Sequence, residues 1–340
     1  MIRKVLFFLL AATIIQQTAF SQNKAPEVKL EFISVGKNRV SIDSAYSYQI
    51  DVKSNSANAV HITVPNLPAW LHFDIQKNVL YGKPLKARQY AIDIVATTDT
   101  TIHQQFMLTV YNKATTNILA LGNSITNGTD KYNSYRRALW QLLHKGNYNF
   151  DFIGSWSKHH GGGNVPNPDF DMDHDGHSGW KASDILHPPD WDKERGNIRE
   201  WVKSYRPDIV LIELGTNEVF QCITEQEAMR NLDTVIQVLR GRNPAVKIFL
   251  AQIPPLGAQW ATKKLCNNTE YALAVTNFNK AILQFGKEKS TATSPVIMVD
   301  QFSGVDTATD MYDDIHPNSV GEEKMAKKWF DAISKYLKTL

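Results

Sequence analysis

The chain has 340 residues, 43% of them hydrophobic, which is length enough for two domains and excludes a disordered or collagen-like polymer. Its 37 basic and 34 acidic residues leave a net charge of +3, too balanced for a nucleic-acid partner. Two cysteines and no C-x-x-C pair exclude a disulfide scaffold and a thiolate zinc site.

Arg3 and Lys4 precede an eleven-residue apolar run, Val5 to Ile15, followed by Ala19-Phe20-Ser21. A positive start, a short apolar stretch and a small-x-small site predict a cleavable secretory signal peptide over residues 1–21. A membrane anchor needs about 20 apolar residues, so none is expected. No cysteine near the site offers lipid attachment. Without the leader, 35 basic residues face 34 acidic ones. The expected location is secreted or periplasmic, of bacterial type.

Residues 26–112 read as a small all-β sandwich. Tyr46, Tyr48, Ile50 and Val52 alternate with polar neighbours, as do Tyr90, Ile92 and Ile94, and Phe106, Leu108 and Val110. That period of two marks half-buried strands, and Ser54-Asn55-Ser56 and Gly82-Lys83-Pro84 supply turns between them. Trp70 is expected in the core.

Asn112 to Thr116 reads as a short polar linker, and beyond it the pattern changes. Buried-strand candidates are Ile118–Leu121, Phe150–Gly154, Ile209–Leu214, Val246–Ile253 and Val296–Val299. Helical periodicity fills Tyr135–His144, Gln226–Arg240, Tyr271–Phe285 and Val320–Leu337. Short apolar strands separated by longer helices predict an α/β domain over 117–338, a parallel sheet with helices on both faces. Ser319-x-x-Glu322 is expected to open the last helix as a capping box.

Chemistry in such a sheet collects at the carboxyl ends of the strands. Four segments there carry unusual residues: Gly122-Asn123-Ser124-Ile125-Thr126, Gly176-His177-Ser178-Gly179-Trp180, Gly215-Thr216-Asn217-Glu218 and Asp313-Asp314-Ile315-His316-Pro317-Asn318. A serine hydroxyl is a poor nucleophile without a histidine to take its proton. The histidine needs a carboxylate to hold its tautomer and stabilise its cation. Ser124, His316 and Asp313 suit those catalytic roles. The backbone N–H groups of Ser124 and Gly179 and the Asn217 amide suit an oxyanion hole.

These blocks resemble the SGNH/GDSL hydrolase superfamily, which contributes Ser, Gly, Asn and His in that chain order; here they are Ser124, Gly179, Asn217 and His316. The resemblance covers residues 117–338 and implies a three-layer, flavodoxin-like fold. His177-Ser178-Gly179-Trp180, Tyr135-Arg136-Arg137-x-Leu139-Trp140 and Asp313-x-Ile315-His316-Pro317-Asn318 are most similar to carbohydrate esterase family 3, whose members remove acetyl groups from xylan. Two positions depart from the superfamily pattern: Asn123 and Glu218 stand where aspartate is usual. Neither is expected to transfer a proton. Leu67-Pro68-Ala69-Trp70-Leu71 and Leu80-Tyr81-Gly82-Lys83-Pro84 resemble the immunoglobulin-like or cadherin-like modules of secreted bacterial proteins.

Other features compete for attention. Asp171-x-Asp173-x-Asp175-Gly176 matches the opening of a calcium loop, but Ala182 stands at position twelve, where a bidentate Glu belongs. His159, His160, His174 and His177 lack an H-x-x-x-H pair. No metal or cofactor is therefore expected. Trp156, Trp180, Trp191 and Trp260 lie in or near active-face loops, where sugar stacking and packing are both open; Trp180 and Asn123 are taken as substrate contacts. Cys222 and Cys266 follow strands expected to be neighbours, leaving a disulfide or two separate thiols open. The predicted function is a secreted serine esterase acting on acetylated polysaccharide or oligosaccharide. The alternatives are an inactive glycan-binding protein of the same fold, a lipid or other short-chain ester hydrolase, or a peptidoglycan deacetylase.

Overall fold

The computed structural model describes residues 29–265 and 268–339. The predicted leader and Cys266 lie outside the described residues.

Among the described residues, nine strands build the first region: β1 (Leu30–Phe32), β2 (Arg39–Ser41), β3 (Tyr46–Gln49), β4 (Val52–Ser54), β5 (His61–Thr63), β6 (Leu71–Asp74), β7 (Val79–Gly82), β8 (Arg88–Thr97) and β9 (Thr101–Tyr111). They form sheets ordered β2-β9-β8-β5 and β3-β7-β6, with β1-β4 as a separate ribbon. The expected alternation holds: Tyr46, Tyr48, Ile50, Ile92, Ile94, Leu108 and Val110 are buried in one core, with Trp70 packed against it. This is an Ig-like all-β sandwich.

The second region is a parallel sheet ordered β11-β10-β13-β14-β15: β10 (Thr116–Gly122), β11 (Phe150–Ile153), β13 (Ile209–Glu213), β14 (Lys247–Ala251) and β15 (Val296–Val299). A two-residue strand, β12 (Asp175–Gly176), pairs with the end of β10 beyond the reach of β11. The helices are α1 (Ser124–Asn127), α2 (Tyr135–Lys145), α3 (Ala182–Leu186), α4 (Ile198–Ser204), α5 (Thr216–Phe220), α6 (Glu225–Arg242), α7 (Ala258–Ala261), α8 (Tyr271–Lys289) and α9 (Ser319–Ile333). Because successive side chains of a strand point to opposite faces, each central strand feeds two cores. Leu119, Leu121, Val210, Ile212, Ile248 and Leu250 pack with residues of α3, α4, α6 and α8. Ile118, Leu211 and Phe249 pack with residues of α2 and α9. Burial on both faces explains why these strands read as continuous apolar runs.

The last helix does not start with a capping box. Asn318 is its N-cap, its side-chain oxygen accepting from the N–H groups of Val320 and Gly321. Glu322 reaches across instead, and its Oε1 accepts from the Ser134 N–H at 2.6 Å, tying α9 to the segment before α2.

The two regions meet through polar contacts. Arg39 pairs with buried Asp151 at 2.7 Å, and Asn38 donates to Asp173 at 2.7 Å. Gln89 donates to Asp171 and accepts from the Trp140 indole and the His144 ring.

Candidate active site

The segment after β10 turns sharply into α1. A Cβ on Gly122 would lie 2.3 Å from the Thr126 hydroxyl and 2.6 Å from the Glu213 carbonyl oxygen. The turn therefore needs glycine for space, whereas a positive φ occurs at other glycines. Asn123 caps α1, its side-chain oxygen accepting from Ile125 N–H at 2.8 Å. Within Gly122–Gly128, Ser124 alone is not fully buried. Its N–H sits in the first turn of α1, where no intrahelical acceptor exists.

The loop before α9 brings a partner to that hydroxyl. His316 Nε2 lies 2.8 Å from Ser124 Oγ, and His316 Nδ1 lies 2.9 and 2.8 Å from the two Asp313 oxygens. With the Nδ1 proton held by the carboxylate, Nε2 is left to accept from the serine. The Asp313 carboxylate also accepts from the N–H groups of His316 and Ile315. Partial burial works to raise the Asp313 pKa, but those N–H bonds and the imidazole outweigh it and hold the carboxyl below its ordinary value. The Tyr132 ring stacks on the His316 imidazole at 5.2 Å, fixing its plane. Asp314, next in the chain, packs against Gly257.

The second and third blocks converge on the same corner. His177 N–H donates to the Gly122 carbonyl at 2.9 Å, and the Ser178 hydroxyl donates to Asn127 Oδ1 at 3.1 Å. Gly179 adopts a left-handed φ of 82°, a conformation in which a Cβ is strained. The Asn217 amide donates to the Trp180 carbonyl at 2.8 Å and keeps a second N–H for another acceptor. The Glu218 carboxyl accepts from Ala182 N–H at 2.7 Å, so the residue standing in for the usual aspartate holds the Gly179–Lys181 turn.

Both expected substrate contacts are corrected by burial. Trp180 is 0% exposed; it stacks with His177 and Trp201 and donates its indole N–H to Asp192. Asn123 is likewise 0% exposed, and its amide borders the Glu213 carboxyl beneath the turn. The tryptophan that does face solvent is Trp191, 59% exposed, with its ring against Gly179. Asp171, Asp173 and Asp175 do not converge: they bond to Gln89, Asn38, and Ser155 with Tyr205, respectively. Among the described residues, no three His, Cys, Asp or Glu side chains are grouped to hold a metal ion. Cys222 is disulfide-bonded, which is one of the two open readings of the cysteine pair.

Sequence reasoning missed two supports. Arg136 is buried and donates to the carbonyls of Thr126, Asn127 and Met172 at 2.7–3.0 Å, capping α1. Burial lowers its pKa to about 10. Glu213, the last residue of β13, is fully buried, and desolvation together with the nearby Glu218 raises its pKa to about 8. Burial likewise brings His177 down to about 3, so it is a neutral ring in a stack. A charged residue ending an apolar strand beside two motifs was a readable signal; the Arg136 contacts were not.

The sequence profile of the GDSL-like lipase/acylhydrolase family matches residues 120–324. The chain belongs to that family. A second profile, that of an Ig domain, matches residues 32–111. A multidomain esterase of Ruminococcus flavefaciens is 33% identical over 238 residues, covering 66% of this chain and 29% of that protein. The chain thus spans under a third of that relative's length. A carbohydrate esterase family 3 structure from Talaromyces cellulolyticus shares 28% identity with a TM-score of 0.52, covering 65% of this chain and 97% of the other. An acetyl esterase mutant crystallised with an acetate ion shares 27% identity at the same TM-score and the same coverage.

Proposed function

We propose that this GDSL-family member is an exported serine esterase that removes O-acetyl groups from carbohydrate. The observation that carries the reading is the relay from Asp313 through His316 to Ser124, with every link at 2.8–2.9 Å. Ser124 Oγ attacks the acetyl carbonyl as His316 Nε2 takes its proton, and Asp313 stabilises the resulting imidazolium. The tetrahedral oxyanion is met by the N–H groups of Ser124 and Gly179 and the second amide hydrogen of Asn217. Collapse expels the sugar alcohol, which receives the proton from His316 and leaves an acetyl-serine. Water, deprotonated by the same histidine, then releases acetate.

The acetyl and carbohydrate parts rest on two supports. Both similar structures are named as acetyl or carbohydrate esterases. The exposed aromatic surface at the site, Trp191 by Gly179 and Tyr312 beyond Tyr132, can stack on the C–H faces of a sugar. A lipid esterase would gain about 0.8 kcal/mol for each CH₂ buried in an apolar tunnel. The test is acetate release from acetylated xylan by the wild-type protein, with Ser124→Ala as control, beside nitrophenyl esters from acetate to octanoate. Falling kcat/KM with chain length and acetate release only by wild type are expected. Rising kcat/KM with chain length favours a lipid esterase, and no turnover of any ester favours a glycan-binding protein.

A further inference from the structure

The sandwich and the hydrolase sheet enclose a cleft of about 590 Å³. One wall belongs to the sandwich, from the segment after β1, with Val35, and the first half of β9, with Gln105 and Phe106. The other belongs to the loop that leaves β11, with Trp156 and Asn164. That loop begins directly after Ile153, and Ser124 follows closely on the end of the neighbouring β10. Leu119 lies beside Ile153 in parallel register, and adjacent strands are about 4.8 Å apart. The cleft therefore opens at the same end of the sheet as the Ser124 hydroxyl.

One short turn of chain touches both places. The 3₁₀ turn Asp190–Arg195 sets the Trp191 ring against Gly179 at its start. At its end, the Arg195 guanidinium lies 3.7 Å over the Trp156 ring. The cleft lining pairs neutral amides with apolar groups left open to water, Val35 being 85% exposed. The two aspartates on its floor are spoken for: Asp171 accepts from Gln89 and Asp173 from Asn38. Burial pushes both carboxyls toward the neutral form. Lys158 and the Asp93-paired His103 also line the cleft, and its amides interleaved with aromatic and aliphatic faces match a neutral sugar chain, whose hydroxyl edges hydrogen-bond and whose C–H faces stack.

We propose that the interdomain cleft is a second binding site, for a neutral polysaccharide chain, so that the Ig-like sandwich supplies one wall of the substrate path leading to Ser124. The direction of that path rests on the esterase reading; binding in the cleft does not. Calorimetry tests it on the full chain carrying Ser124→Ala, which removes turnover, with xylobiose and xylohexaose as probes. The expected result is a Kd for the hexaose about ten-fold or more below that of the disaccharide. Val35→Arg and, separately, Trp156→Ala should remove that preference. Val35 is exposed, so its variant keeps the test decisive even if Trp156→Ala unfolds. Equal binding of the two probes, binding of neither, or a preference that survives Val35→Arg overturns the proposal. A wild-type protein that hydrolyses no acetyl ester but keeps the hexaose preference would remove the esterase reading and leave this site standing.

Discussion

Ser124 stands half-buried above a layer of residues that never meet solvent, and the proposed chemistry depends on how that layer holds it. Ser124→Ala and His316→Ala should each lower kcat on nitrophenyl acetate by about three orders of magnitude or more, because the relay acts as a unit. Asn217→Ala should cost about 10²-fold by removing one oxyanion donor. Steady-state kinetics check all three, and equal losses for Asp314→Ala and Asp313→Ala would contradict the pairing at His316. Beneath the turn, Glu213 makes a pH prediction. Its folded pKa of about 8 lies above the ordinary carboxyl value, so the protonated form is the one the fold accepts. The stability it allows is fully present below the unfolded pKa and is lost as pH rises through the folded value. Glu213→Gln should therefore leave the melting temperature nearly unchanged at pH 5 and raise it at pH 8.5. The gain corresponds to roughly a few kcal/mol at most. Thermal melts of both proteins at the two pH values decide it. An aspartate at 123 would place another carboxyl against Glu213, which is a physical reason for asparagine there.

Helix α1 has four residues, too short to hold its own ends. Its start is fixed by Asn123 and its end by Arg136, which rises from α2 to donate to the last carbonyls of α1 and to Met172. Arg136→Met keeps the side-chain length and removes every donor. With three buried carbonyls losing partners at about 1–3 kcal/mol each, the variant should lose at least about 3 kcal/mol of stability. Urea denaturation measures this, and a loss under about 1 kcal/mol would show that water or relaxation replaces the guanidinium. Elements were legible where burial imposed a period. The five parallel strands and four long helices appeared in the sequence because two cores demand apolar residues at fixed spacing. The helices α3, α4 and α5 were not, being five to seven residues long and stabilised by contacts such as Glu218 to Ala182. The capping reading at Ser319 failed because Asn318 was equally suited to cap and Glu322 had a better acceptor role toward Ser134.

Across the whole molecule, charged and polar groups join the sandwich to the parallel sheet. Arg39 faces Asp151, whose side chain is only 1% exposed and whose pKa is raised by burial, with Arg39 opposing that rise. Arg39→Met should leave Asp151 buried and unpaired, costing roughly 3 kcal/mol at pH 8. At pH 5 the cost should be smaller, because Asp151 then takes up a proton with less penalty. Melting curves of wild type and variant at both values test this; a pH-independent difference would show that the pair is not coupled to protonation. The same seam positions the wall of the cleft proposed for a sugar chain.

By itself, the sequence determined the two-part architecture, the parallel sheet and the corner where the four blocks meet. Those depend on local rules: strand and helix periods, glycine at a tight turn, and motif residues that follow strand ends. Tertiary structure decided which aromatic residue faces the solvent. Trp180 and Trp191 flank α3 with identical chemistry, yet one is sealed in a stack with His177 and Trp201 and the other lies open over Gly179. It also decided that Gly122 is required by space rather than by φ, and that Arg136, Glu213 and Glu322 support the site from elements far apart in the chain. A side chain's partners across the fold leave no period in the sequence, so the packing that brings them together is what assigns them.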